Sequence, residues 1–172
     1  MRINISQLEG KTGQSLRVTE DKILSPINGA GGEVSFKNPL HFAVEVTNVG
    51  DGYWVEGRVS GKCILKCARC LDEFMAPLHA SFTQKYLTEA KGKEASDEEV
   101  LDGDELDLED KFRESILLAL PMKALCREDC PGICPRCGAN LKEGDCKCPR
   151  NDIDPRWAVL GDLLRDQQKG VD

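Results

Sequence analysis

Histidine is almost absent from this chain: His41 and His79 are the only two in 172 residues. Both fall in strand-like segments far apart in sequence, and neither sits in a nucleophile motif such as G-x-S-x-G, so they read as satisfied strand residues. Aromatic residues are scarce too, at 5%, which leaves no stacking platform of the kind that holds single-stranded nucleic acid. No run of about 18 apolar residues occurs, and the start, MRINISQLEGKTGQ, has no basic stretch followed by an apolar one. Neither secretion nor membrane spanning is indicated, and the protein reads as cytoplasmic. Gly29, Gly31 and Gly32 precede a β-like run rather than a helix, so they make no phosphate-binding loop.

What is present begins with a hydrophobic share of 40%, enough for one ordinary core. The net charge of −7 is unevenly placed. Between Gln84 and Asp110 stand eleven acidic residues and three lysines, so that segment carries −8 and the remainder +1. The acidic character therefore belongs to one stretch and not to the whole surface.

Apolar residues alternate at Phe42, Val44 and Val46, at Tyr53, Val55 and Val59, and at Phe74, Leu78 and Phe82, the period-two pattern of antiparallel strands. Gly50-Asp51-Gly52 suits a tight hairpin turn, and a second turn is expected at about Asp72. Residues 1–88 thus read as an antiparallel β-rich body, a meander or a small open barrel. Residues 89–106 read as an acidic flexible loop, since Ala90 to Glu105 has no apolar periodicity and a dense run of like charge. In the third segment, 107–172, Leu108, Phe112, Ile116 and Leu120 share a helical face, with Asp107 as N-cap and Pro121 as terminator. Asp154 and Pro155 open a short terminal helix with Trp157, Leu160 and Leu164 on one face. The whole is one integrated α+β domain.

Between the two helices, Cys126 to Arg150 holds six of the nine cysteines and little that could fill a core. In a reducing compartment such a segment is metal-binding or catalytic rather than disulfide-bonded, and nine fits two four-thiolate sites plus one spare. Cys134-Pro-Arg-Cys137-Gly138 is a zinc knuckle, and Cys146 and Cys148 complete it as C-x2-C-x8-C-x-C. Cys67-Ala-Arg-Cys70, at a strand end, joins Cys126 and Cys130 in a second site. The alternative grouping puts Cys126, Cys130, Cys134 and Cys137 on one ion and Cys67, Cys70, Cys146 and Cys148 on the other. Cys63 reads as a small buried apolar residue. Two zinc ions per chain are expected, each held by four thiolates and adding about −2 of charge.

A catalytic zinc keeps an open position, usually with histidine or carboxylate ligands, whereas every ligand candidate here is cysteine; these sites read as structural and the protein as no enzyme. The C-x-x-C pairs could also serve a thiol oxidoreductase or redox sensor, although neither has the βαβ setting of thioredoxin-like chemistry. Lys66, Arg69, Arg127, Arg136, Lys147 and Arg150 are threaded among the thiols. They either neutralise sulfur or form a basic rim that contacts phosphates.

The order of features, CARCL, an acidic loop, a helix with Glu114 running into LALP, CREDCPGICPRCGANL, CKC and DPRW, resembles the YceD family of large ribosomal RNA subunit accumulation proteins over Val59 to Leu164. The resemblance implies a non-enzymatic, bacterial-type factor needed for accumulation of 23S ribosomal RNA, through its synthesis, processing or stability. The implied partner is ribosomal RNA or a large-subunit precursor, or a ribosomal protein, with no membrane and no small-molecule substrate. Charge and position make Arg69, Arg136, Lys142, Lys147, Arg150 and Arg156 the candidate RNA contacts. The rival readings are a protein-interaction module that touches no RNA and a thiol redox sensor.

Overall fold

The computed structural model describes residues 1–29, 32–88, 99–101 and 103–148. They divide into two compact units, Met1–Cys130 and the part beginning at Pro131. Among the described residues, the strands and the α-helix all lie in the first: β1 (Arg2–Asn4), β2 (Ser15–Lys22), β3 (Ile27–Gly29), β4 (Gly32–Val34), β5 (Leu40–Asn48), β6 (Gly52–Lys66), β7 (Glu73–Leu87), β8 (Glu99–Val100), β9 (Glu105–Asp107) and α1 (Glu109–Ala119).

The alternating residues form the expected strands. β5, β6 and β7 follow one another as antiparallel hairpins, with Val46 opposite Val55, and Val59 opposite both Phe42 and Ala80. The first hairpin turns at Gly50, whose φ of 94° suits glycine; Val49 N–H donates to Gly52 O at 2.9 Å. β2 adds to β5 and β8 to β7, giving a five-stranded sheet in the order β2-β5-β6-β7-β8. Its terminal strands do not meet among the described residues, so the sheet is open and not a closed barrel. The β3-β4 hairpin and the β1-β9 pair form separate two-stranded sheets, and a bridge between Ser35 and Ile64 ties the chain after β4 to β6.

α1 lies across β6 and β7. Its apolar stripe carries Phe112, whose ring meets Phe42 at 4.8 Å and Phe82 at 5.0 Å, both edge to face. Gly57 makes room for this cluster, because a Cβ there would lie 2.1 Å from the Phe82 ring. Leu108 and Ile116 are fully buried on the same stripe, and Leu120 is half-buried. Asp107 stands one residue outside the N-cap, Leu108, and still serves the helix: its Oδ1 accepts from Glu109 N–H at 3.1 Å.

The acidic stretch departs from its reading as a loop at two places, β8 and β9. Leu106, 1% exposed, alternates with Glu105 and Asp107, a short period-two pattern hidden within the acids, and β9 pairs with β1 through it. Glu99 meets Lys111 of α1 at 2.7 Å. Residues 89–98 and Asp102 of that stretch, and the terminal helix expected from Asp154, lie outside the described residues. The first unit runs through to Cys130 and includes α1, which packs on β6 and β7.

Candidate metal centres

β6 and β7 pair along their full fifteen residues, from Gly52 opposite Leu87 to Lys66 opposite Glu73. The intervening CARC segment is therefore the hairpin loop itself. Cys67 N–H donates to Asp72 O and Leu71 N–H to Cys67 O, each at 2.9 Å. Beyond α1 the chain returns to this loop: Ala68 N–H donates to Ala124 O at 2.8 Å. Arg69 Nη1 donates to Glu128 O at 3.1 Å and to Cys130 O at 2.9 Å. These bonds draw Cys126 and Cys130 onto Cys67 and Cys70.

The four sulfurs lie within 4.8 Å of one another, with Cys67 to Cys130 and Cys70 to Cys126 both at 3.8 Å. A tetrahedral site with metal–sulfur bonds of about 2.3 Å has edges of about 3.8 Å, whereas a disulfide would need about 2.05 Å. The spacing fits four thiolates around one ion. Cys67, Cys70 and Cys130 are 0, 3 and 1% exposed, and Phe74 and Leu125 pack against them.

The second quartet lies within the unit that begins at Pro131. Cys134, Cys137, Cys146 and Cys148 also hold their sulfurs within 4.8 Å of one another. Gly138, at φ 73°, donates its N–H to Cys134 O at 2.9 Å, and Cys134 N–H donates to Ala139 O at 2.8 Å. Leu141 N–H donates to Gly132 O at 2.9 Å, and Asn140 Oδ1 accepts from Lys142 N–H at 3.0 Å. The sulfurs thus adopt the pairing of Cys67-Cys70 with Cys126-Cys130, and the alternative grouping is not formed. Cys63 is 1% exposed in the main core.

Electrostatics distinguish the sulfurs within each quartet. Burial pushes the Cys67 thiol up, but the backbone N–H groups of Cys126, Cys70 and Arg69 outweigh it and hold Cys67 down at about 6. Burial and the neighbouring sulfurs push Cys70 up to about 12. The N–H groups of Cys137 and Arg136 hold Cys134 at about 6, while the Cys137 sulfur pushes Cys148 up to about 12. Each knuckle stabilises a first thiolate, Cys67 or Cys134, and neighbouring sulfurs raise Cys70 and Cys148. A divalent cation is the counter-charge that lets all four ionise together. The donor set suits a soft or borderline ion such as zinc, and four cysteines leave no position open to water.

Among the basic candidates, Arg69 is engaged with the Cys126–Cys130 loop through the carbonyls above, while Arg136, Lys142 and Lys147 are exposed; Arg150 and Arg156 lie outside the described residues. Sequence reasoning missed Leu71, which holds a left-handed φ of 64° while 56% exposed. Aligning CARCL with CPRCG would have marked it, since the position after the second cysteine is where glycine is favoured.

No helix among the described residues is long and apolar enough to cross a membrane. No solved structure matches the chain. An uncharacterized protein of Mycobacterium tuberculosis is 32% identical over 130 residues, which is 73% of this chain and 62% of that protein, so the chain spans less than two thirds of that relative's length. The Bacillus subtilis protein YlbN is 24% identical over 167 residues, 96% of this chain and 97% of that one. The chloroplastic Arabidopsis thaliana protein named large ribosomal RNA subunit accumulation protein YCED homolog 1 is 34% identical over 65 residues, 38% of this chain and 20% of that one. The family model described as large ribosomal RNA subunit accumulation protein YceD matches residues 55–164, from β6 through all eight clustered cysteines, and the chain belongs to the YceD family.

Proposed function

We propose that this protein is a zinc-stabilised, non-enzymatic cytoplasmic factor that supports accumulation of 23S ribosomal RNA. It acts by binding the RNA, or a ribosomal protein, in a large-subunit precursor. The carrying observation is the family match over residues 55–164, which takes in both quartets. Cys67, Cys70, Cys126 and Cys130 hold one zinc ion, and Cys134, Cys137, Cys146 and Cys148 hold the other. The all-sulfur donor sets favour a structural role for both ions over a catalytic one.

The candidate RNA contacts of the second unit are the exposed Arg136, Lys142 and Lys147, with Arg150 and Arg156 following in sequence; Arg69 is a separate candidate within the first unit. Cationic side chains on a rigid metal-held loop meet phosphates without a stacking platform. With −8 of charge confined to Gln84–Asp110 and each zinc site itself adding about −2, the contact is local to these cations and not a generic attraction.

Ultraviolet crosslinking of the tagged chain in cells, with and without RNase, tests the reading. Adducts of 23S ribosomal RNA at Arg136 or Lys147 support it. Retention of a ribosomal protein after RNase, with no RNA adduct, replaces it with a protein-interaction module. Metal analysis of the purified chain should give about two zinc per molecule.

A further inference from the structure

The two quartets are unequally protected. The first is enclosed: Cys67, Cys70 and Cys130 are buried, and Cys126 is half-buried. In the second, only Cys134 is buried, Cys146 and Cys148 are half-buried, and Cys137 is exposed. Among the described residues, every member of the hydrophobic clusters lies at or before Cys130. Between Pro131 and Cys148 only Gly132 and Cys134 are buried. The Cys148 sulfur lies within 4.8 Å of the Cys137 sulfur, which supplies an oxidised Cys137 with an adjacent second thiol.

We propose that Cys137 is an oxidation site for hydrogen peroxide, with Cys148 as its resolving partner, and that their disulfide releases the metal of the second quartet while the first stays loaded. This rests on both quartets holding zinc. The Cys137 thiolate attacks one peroxide oxygen, forming an S–O bond as the O–O bond breaks and hydroxide leaves. The Cys148 thiolate then attacks the sulfenic sulfur, forming the S–S bond and displacing a second hydroxide. Two electrons pass from the two sulfurs to the peroxide, and two protons convert both hydroxides to water. Cys134 and Cys146 remain as two of the four ligands, and the turns between Gly132 and Cys146 lose the ion that holds them.

Titrating the purified, zinc-loaded full chain with hydrogen peroxide tests this, using a colorimetric zinc chelator alongside alkylation and mass mapping. The expected result is release of one of two zinc ions, a Cys137–Cys148 disulfide, and reduced Cys67, Cys70, Cys126 and Cys130, with the second quartet reacting roughly tenfold faster or more because its thiolates are accessible. In Cys148→Ser, whether or not it retains metal, a dimedone adduct should collect at Cys137. Loss of both ions at equal rates, first oxidation at Cys67 or Cys70, or no dimedone adduct at Cys137 overturns the inference alone. Fewer than two zinc ions before peroxide overturns both it and the metal reading.

Discussion

CARCL and CPRCG make the same turn for opposite reasons. In both, the first cysteine's carbonyl accepts from the N–H four residues on at 2.9 Å, and in both that fourth residue is left-handed, at 64° for Leu71 and 73° for Gly138. Glycine adopts this conformation freely, whereas a bulky residue resists it by about 1–2 kcal/mol. The first turn can impose that strain because β6 and β7 fix its ends and the loop after α1 clamps it from outside. The second has short turns and no hydrophobic cluster among its described residues, so its own sequence must favour the conformation. A C-x-x-C turn can thus be dictated from outside or written locally.

Metal removal should break this comparison most visibly. A chelator should abolish amide protection across residues 132–146, while β5, β6 and β7 remain protected in hydrogen-exchange mass spectrometry, because folding of a metal-held segment is coupled to its ion. Loss of protection throughout the sheet would mean that the first site also organises the core. Phe112→Ala should act in the reverse sense, lowering the stability of Met1–Cys130 by about 3–5 kcal/mol in urea unfolding through loss of a buried ring. It should leave the second quartet's metal in place under native conditions.

Exchanging the turn residues sharpens the contrast on a smaller scale. Gly138→Ala should cost about 1–2 kcal/mol from backbone strain alone, since no atom lies within 4 Å of the added Cβ, and should weaken zinc retention in a chelator competition. Leu71→Gly should relieve strain and raise the urea midpoint by the equivalent of about 0.5–1 kcal/mol. A destabilised Leu71→Gly protein would mean that the leucine packs to more advantage than its exposure indicates.

The smallest effect is expected at Asp107. Glu109 N–H and Arg2 Nε, the latter at 3.1 Å, hold its carboxyl below the usual carboxylate range. A depressed folded value stabilises the protein fully above the unfolded carboxylate pKa, near 4, and the gain is lost as pH falls through the folded value. Because the side chain is 52% exposed, Asp107→Asn should cost only about 0.5 kcal/mol at pH 7. Its deficit in urea midpoint should narrow as the pH is lowered below about 4.

The four cysteine pairs were legible because each has a spacing that only a few turns satisfy, although that spacing left two groupings of the pairs open, and the solvent-facing alternation of β5 to β7 carried the strands. The stripe through Phe112 and Ile116 likewise announced α1. Other features were not readable. The pairing of Arg2–Asn4 with Glu105–Asp107 joins three-residue strands about a hundred positions apart, too short for a periodic signal. Glu99–Val100 joins β7 in parallel through two residues, and its anchor, the Glu99–Lys111 ion pair, is set by tertiary placement. The strain at Leu71 was hidden because nothing in CARCL itself demands a left-handed leucine.

The hairpin that carries Cys67 and Cys70 leaves the translating ribosome long before Cys126 does. At about 5–20 residues per second, the fifty-odd residues between Cys70 and Cys126 take roughly 3–11 s to make. For that interval the nascent chain presents a two-thiolate half-site, which any available metal or thiol reagent can reach before its native partners exist.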